Sequence, residues 1–340
     1  MSLAPALKLT LGNFLYESQV ANIISYSVLL PGVNYARTLL PAEVEMSAEL
    51  DDDGVLELDG GEGSDKILTG KIKSIHRGLV HTEVIVADAS AELGSYRPAA
   101  TYEKQNAKDV VKALASEVEV GVDTIDIDLP LAAYVAHQQR TAAEHIAYLA
   151  KLAGGFGRIG NDGKLRVTEF PEGQPEAALR YGREVITYEI TNHTGSRGRA
   201  MMIGNGPAGS ADAPNALRHT LEVLPSDAPT PGIEAVWKAT PLLRTPGAAL
   251  KASNGAAAEK AMYQQRLRAK CILLPKLQPG MVMEVQELPN EMASGPWMLV
   301  QVTHHFKAHR PGFTILEGVT AGAGEGSLLG ALASAAGGLL

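Results

Sequence analysis

Nine histidines, one cysteine and several close-set carboxylates are the side chains of this 340-residue sequence that could do chemistry. Only His304, His305 and His309 lie near enough to one another to suggest a metal. A strand is expected there, and successive strand residues point to opposite faces, so His304 and His305 cannot readily share an ion. Neither cysteine nor carboxylate stands nearby at a ligand spacing, and zinc sites depend on such spacings. The histidines are read as structural or exposed. Asp123, Asp126 and Asp128 look like paired carboxylates, but they are set among Val122, Ile125, Ile127 and Leu129 and fit the solvent side of a short strand. The further partners of a glycosidase or calcium site are not evident. Gly154-Gly155-Phe156-Gly157 has the look of a phosphate cradle, yet it follows a helical stretch instead of preceding one, which favours a turn. Cys271, beside Ile272 and Leu273, reads as a small buried hydrophobe lacking the electropositive setting of a reactive thiol. Neither a Gly-x-Ser-x-Gly elbow nor His-Glu-x-x-His occurs. No catalytic residue, no cofactor and no metal are expected.

The elements that would carry these residues are mostly strands. Val44, Met46, Ala48 and Leu50 alternate with Glu45, Ser47 and Glu49, and Ile24, Tyr26, Val28 and Leu30 recur with the same two-residue period. Ile67–Ile75 and Val80–Ala87 flank Arg77-Gly78 as a hairpin. Two helices follow. One covers Ala107–Val118, with Asn106 as cap and Val110, Val111, Leu114 and Ala115 on one side. The other covers Thr141–Ala153, opened by the capping box Thr141-Ala142-Ala143-Glu144 and closed by Gly154-Gly155. Asn161-Asp162-Gly163 turns a hairpin between Phe156–Ile159 and Lys164–Thr168. Strands are expected at Val185–Asn192, Arg199–Ile203, Val282–Gln286, Met298–Phe306 and Phe313–Val319. The Gly/Pro/Ala/Ser-rich stretch 204–254 is read as an irregular insertion, and Ala256–Lys270 as a helix with Asn254 as cap, its Arg266–Lys270 run a solvated face.

Acidic residues outnumber basic ones, 38 to 30, for a net charge of −8. Such a surface repels phosphate, so stable nucleic-acid binding is not expected; an acidic channel wall would let DNA slide past. One cysteine excludes an intrachain disulfide. Met1–Leu11 lacks the layout of a signal peptide, and no apolar run reaches the ~20 residues of a membrane helix, so folding in a cytosol is expected.

Several segments, in order, resemble the hub family of contractile tails: phage late-control protein D, the myophage baseplate hub and the N-terminal part of VgrG. They are Leu68-Thr69-Gly70-Lys71-Ile72; Ala91–Ser116 through Arg97 and Tyr102; His137-Gln138-Gln139 with Thr141–Leu152 and Gly154–Val167; Lys276–Val285 with Pro279-Gly280; and Gly295-Pro296-Trp297-Met298-Leu299-Val300 through His304 to Gly312-Phe313-Thr314. Thr141-Ala142-Ala143 and Ala150-Lys151-Leu152 depart from the family pattern. The likeness spans roughly 65–170 and 265–320, and its weight lies in order and spacing.

The resemblance implies a β-rich α+β fold of two small tube-like β-barrels joined by an α/β insertion, three copies forming a pseudo-six-fold ring. The implied divisions are a first barrel at 1–90, an insertion at 91–182, a second barrel at 183–320 interrupted by 204–254, and a Gly/Ala-rich assembly tail at 321–340. Function would then be that of a baseplate hub in a phage tail or phage-like injection particle, adapting a six-fold tube to a three-fold spike around a central channel. The expected partners are two further copies, the tail tube protein, baseplate wedge proteins, a tape-measure protein and, since no spike domain follows, a separate spike protein; DNA or cargo would only pass through. Leu328, Leu329, Leu332, Leu339 and Leu340 are the expected anchors of the tail on its partner. A cell-wall-acting tail hydrolase is the alternative, to be recognised by convergent carboxylates or a nucleophile pair. A DNA-binding regulator would need a basic recognition helix, and none is evident.

Overall fold

The computed structural model describes residues 6–17, 20, 22–193, 199–204, 235–289, 295–308 and 310–322. Among them are twenty strands and four helices. The first group is β1 (Ala6–Leu11), β2 (Phe14–Tyr16), β3 (Asn22–Val28), β4 (Tyr35–Pro41), β5 (Asp53–Asp59), β6 (Ser64–Arg77) and β7 (His81–Ala87). Next come α1 (Ala89–Ser95), β8 (Ala100–Asn106), α2 (Ala107–Ser116), β9 (Val122–Asp126), β10 (Pro130–Ala136), α3 (Ala142–Leu152), β11 (Gly155–Ile159) and β12 (Leu165–Glu169). The last group is β13 (Ala177–Arg180), β14 (Val185–Asn192), β15 (Arg199–Gly204), β16 (Ala235–Thr240), α4 (Pro246–Met262), β17 (Gln265–Ile272), β18 (Val282–Gln286), β19 (Pro296–Lys307) and β20 (Arg310–Thr320). No helix among the described residues is long and apolar enough to cross a membrane.

Two closed barrels do not form, which corrects the expected fold. The strands of both halves join in one open thirteen-stranded sheet, in the order β14-β17-β20-β19-β3-β4-β7-β6-β5-β1-β2, with β18 beside β19 and β13 beside β18. Closure requires the two edge strands of a sheet to pair with each other. Here the side of β3 that a first barrel would need is taken by β19, from Gln301↔Val28 to Lys307↔Asn22. Among the described residues β2 pairs only with β1, and β14 only with β17 apart from a single bridge from Val185 to Tyr181. β19 is long enough to serve both halves: its start pairs with β18 and its end with β3, while β20 runs along its other side. A register shift between Leu299 and Gln301 marks the changeover.

Each half has its own core, built by two-residue periodicity. Leu7, Leu9 and Leu11 of β1 face Leu58 and Leu56 of β5, joined by Ala36, Leu40, Ile72, Val84 and Val86. The second core gathers Leu267, Ala269 and Cys271 of β17 with Val285, Trp297, Leu299, Val302 and Leu316. β3 shows the reverse of the sequence expectation: Ile23, Ser25 and Ser27 are buried, and Ile24, Tyr26 and Val28 form the half-buried opposite face. Val44–Leu50 is not a strand; Ala48 points inward and Glu45, Ser47 and Glu49 outward, but the segment has no ladder partner.

The third core is α/β. α2 is capped by Asn106, whose side chain accepts from the Lys108 N–H, and buries Val110, Val111, Leu114 and Ala115. Thr141 and Glu144 complete their capping box on α3. α1, absent from the sequence reading, is capped by Asp88. β9, β11 and β12 form a small sheet, and β8 and β10 a two-stranded ribbon. The expected helix at Ala256–Lys270 lies earlier: α4 begins after the cap Thr245, with Pro246 in its first turn, and Gln265–Ile272 is β17. α4 crosses α3 where Gly255 meets Gly154; a Cβ on Gly255 would sit 2.6 Å from the Gly154 Cα. Lys151 and Glu259 pair across that crossing at 2.6 Å.

Candidate assembly surfaces

The groups that could do chemistry are dispersed and individually satisfied. His304 and His305 do point to opposite faces of β19. His304 is wholly buried; its Nδ1 lies 3.0 Å from Thr314 Oγ1, and the Leu277 carbonyl accepts from the ring. Thr314 Oγ1 accepts from the Leu274 N–H, which leaves its hydroxyl proton for His304. Burial pushes the His304 pKa down to about 4, so the ring is neutral. His305 stacks on Phe313 at 4.5 Å and is lowered by burial and then by Lys307 and Lys270. His309 lies outside the described residues. His145, buried on α3, donates from Nε2 to the His137 carbonyl (3.1 Å), so its Nδ1 accepts from the Tyr134 hydroxyl (2.6 Å). Burial raises the Tyr134 pKa. Burial also pushes the Cys271 thiol up to about 12, which leaves it unreactive.

The aspartates diverge: Asp123 pairs with Arg166 at 2.9 Å, Asp128 accepts from the Asn106 amide, and Asp126 is exposed. Gly154 takes a positive φ of 80° as the helix-ending turn, and Gly155 opens β11. Among the described residues no three His, Cys, Asp or Glu side chains gather to hold a metal. One polar network is deeply buried. Asp88 accepts from the Ser90 N–H and hydroxyl and from Asn34 Nδ2, while Asn34 Oδ1 accepts from the Val28 N–H. Burial raises Asp88 to about 6. The network ties the β3–β4 turn to the start of α1 and so seats the α/β part on the sheet.

What the sheet offers outward is more telling. The face opposite the two cores carries Ile24, Tyr26 and Val28, with Tyr26 and Tyr35 stacked at 5.4 Å. On the same face Lys270 lies 4.4 Å over Phe313, Arg268 faces Glu317 at 3.6 Å, and Arg37 pairs with Glu83. The Arg266–Lys270 run is therefore the outward side of a strand, not a helix face, because Leu267, Ala269 and Cys271 alternate with it into the core. Among the described residues no strand lies on the outer side of β2, or of β14 beyond the Tyr181–Val185 bridge, and Ile186 on β14 and Phe14 and Leu15 on β2 are 49%, 46% and 56% exposed. At the β6–β7 turn Leu79 is 97% exposed and Val80 76%. These surfaces went unread in the sequence because an exposed aliphatic cannot be told from a core one by spacing. The leucines singled out there, Leu328, Leu329, Leu332, Leu339 and Leu340, lie outside the described residues.

A groove of about 270 Å³ opens where the α/β part meets the sheet. Val28, Leu29, Phe156, Phe170, Tyr263 and Val300 line it, with Lys151 and Glu259 among the residues at its wall. A second hollow of about 240 Å³ adjoins it through Tyr263 and Val300 and carries Arg266, Arg268, Glu189 and Glu317. The first is largely apolar, the second mixes apolar surface with charges of both signs, and neither converges titratable groups on a point.

No protein-family model matches the chain, and no curated protein matches it. Solved structures do. The 43 kDa tail protein of prophage MuSo2 from Shewanella oneidensis superposes with a TM-score of 0.68 at 11% identity, over 93% of this chain and 98% of that one. A tail protein from Neisseria meningitidis MC58 gives 0.67 at 14% identity, over 93% and 96%. An E. coli type VI secretion component, described as structurally similar to the T4 bacteriophage tail proteins gp27 and gp5, gives 0.60 at 11% identity, over 90% of this chain and 74% of its own. The chain thus has the fold shared by phage tail proteins and VgrG-like components of injection systems.

Proposed function

We propose that the chain is a structural baseplate hub of a contractile phage tail or phage-like injection particle, a non-enzymatic adaptor between tube and spike around a central channel. The observation that carries this reading is the end-to-end likeness to a tail protein, over 93% of this chain and 98% of that one. Open edges support it. Among the described residues the outer side of β14 from Ile186 to Asn192 carries no strand and shows an exposed isoleucine, a liability for a solitary protein unless another chain covers it. Three copies joined in a ring would cover it, and the mixed-charge, partly apolar outer face would meet tube, spike, wedge or tape-measure proteins. The division into 1–90, 91–182, 183–320 and 321–340 is part of the proposal, as are the five tail leucines as an assembly contact and the particle as location. No observation favours the hydrolase alternative. Size-exclusion chromatography with light scattering is the test, on the chain alone and with candidate spike and tube proteins. The expected hub mass is three times 35.9 kDa, either by itself or as the hub's share of a heavier complex with the spike. A 35.9 kDa monomer at every concentration and with every partner would overturn the reading.

A further inference from the structure

We propose that Ser25 and Thr38 together hold an internal water molecule, buried in the sheet beside the seam where the two halves of the chain meet. Both residues are fully buried, and neither Ser25 Oγ nor Thr38 Oγ1 has a hydrogen-bond partner among the described residues. A hydroxyl taken out of water with no replacement bond costs free energy that an apolar group of the same shape does not. Two such groups on one face of two paired strands point to a ligand that bonds both.

Register brings them together. In the β3–β4 ladder Ser25 stands opposite Ala36, and Thr38 opposite Ile23. Ser25 and Thr38 are therefore diagonal neighbours, and both belong to the inward set of their strands. Diagonal side chains stand about 7 Å apart, too far for short hydroxyls to meet and within the span of one bridging water. Two partners meet the lower limit for a buried water, which makes two to four bonds. Ser25 and Ala36 are also small, and leave more space beneath the strands than Ile23 and Leu40 do on the same face.

The adjoining polar groups are already engaged. Ser25 faces His304 across the β3–β19 pairing. His304 is committed to Thr314 Oγ1 and the Leu277 carbonyl, and Thr314 Oγ1 also accepts from the Leu274 N–H. A polar row of Thr38, Ser25, His304 and Thr314 thus crosses β4, β3, β19 and β20. Protein groups satisfy its second half and not its first. The ligand is neutral, because Ile23, Ala36, Leu40, Val84 and Phe306 belong to the apolar core around the pair and an ion there would lack a counter-charge. The row also bears on register: a two-residue slip of β19 would set Val302 or Phe306 against Ser25 in place of His304. None of this depends on the chain being a hub.

The sign of one substitution is the first test. Thr38→Val keeps the shape of the side chain and removes its hydroxyl. With water bound, the variant strips that water of a partner, and the unfolding constant measured in urea should rise about fivefold. Without it, the change deletes an orphaned hydroxyl at no loss of β-propensity, and the constant should fall. A fall, or no change, overturns the proposal. Oxygen-17 relaxation dispersion on the full-length chain then counts long-lived internal waters. The Ser25→Ala/Thr38→Val double variant should hold one fewer than the wild type. An equal count overturns the proposal even where stability drops, since the hydroxyls would then be bonded within the protein. Should the double variant not fold, a crystal structure of the wild type decides between a water oxygen about 2.8 Å from both hydroxyls, as expected, and none, which refutes the site.

Discussion

Two buried groups with opposite displacements should make the acid stability of this protein flat, and removing either should expose the other. His304 is wholly buried and held near 4 instead of its ordinary 6.5. The unfolded chain then binds a proton between those values that the folded chain refuses. His304 contributes full stability above pH 6.5, lost as pH falls towards 4. At ~1.4 kcal/mol per pH unit the loss amounts to about 3 kcal/mol. Asp88 acts in reverse. Its carboxyl is raised from 3.8 to about 6 by burial, so the folded chain holds a proton there that the unfolded chain releases. Its contribution is present below pH 3.8 and lost as pH rises through 6, again about 3 kcal/mol. Asp51 and Glu144, held below their ordinary values by Lys73 and by the Thr141 N–H, act at the lower limit of this window. Urea unfolding at half-unit intervals from pH 7 to 4 measures the sum. The wild-type free energy should vary by no more than about 1 kcal/mol from this pair, since two opposed terms of similar size cancel. His304→Gln should gain about 3 kcal/mol as pH falls from 6 to 4, Asp88→Asn should lose as much from 6.5 to 4, and the double variant should be flat again. Parallel pH profiles for the two single variants would refute the reasoning.

Other outcomes follow from local contacts. Gly70→Ala should destabilise by about 1–3 kcal/mol, because a Cβ there would lie 2.0 Å from the Ala87 carbonyl oxygen and the β6–β7 ladder would have to shift; urea midpoints check this. Tyr134→Phe removes the hydroxyl that His145 Nδ1 accepts and should cost about 1–3 kcal/mol in the same assay, with faster amide exchange along α3. Thr141→Ala breaks the capping box and should cost about 1 kcal/mol, most of it recovered by Thr141→Ser.

How much of this was legible depended on distance along the chain. α2 and α3, with their caps Asn106 and Thr141, were readable because a cap and its acceptors lie within three residues. The β6–β7 and β11–β12 hairpins were readable because Gly78 and Gly163 sit in the turns that join them. The divergence of His304 and His305 followed from alternation, and the burial of Cys271 was read from its apolar neighbours Ile272 and Leu273. α1 was missed although Asp88 and Ser90 stand at capping distance. Arg266–Lys270 was misread because a short mixed run suits either period, and only the flanking β14 and β20 make it a strand. The same holds for Val44–Leu50, which alternates and packs on the first core but has no strand beside it among the described residues. Alternation establishes that a segment has two faces, not which one the core takes, so Ile24, Tyr26 and Val28 on β3 turned outward and Ile23 inward. The open sheet in place of two barrels was a tertiary decision for the same reason. Unpaired backbone on β3 must be satisfied by some strand, and the one that reaches it is β19, more than 270 residues away, from the other half of the chain.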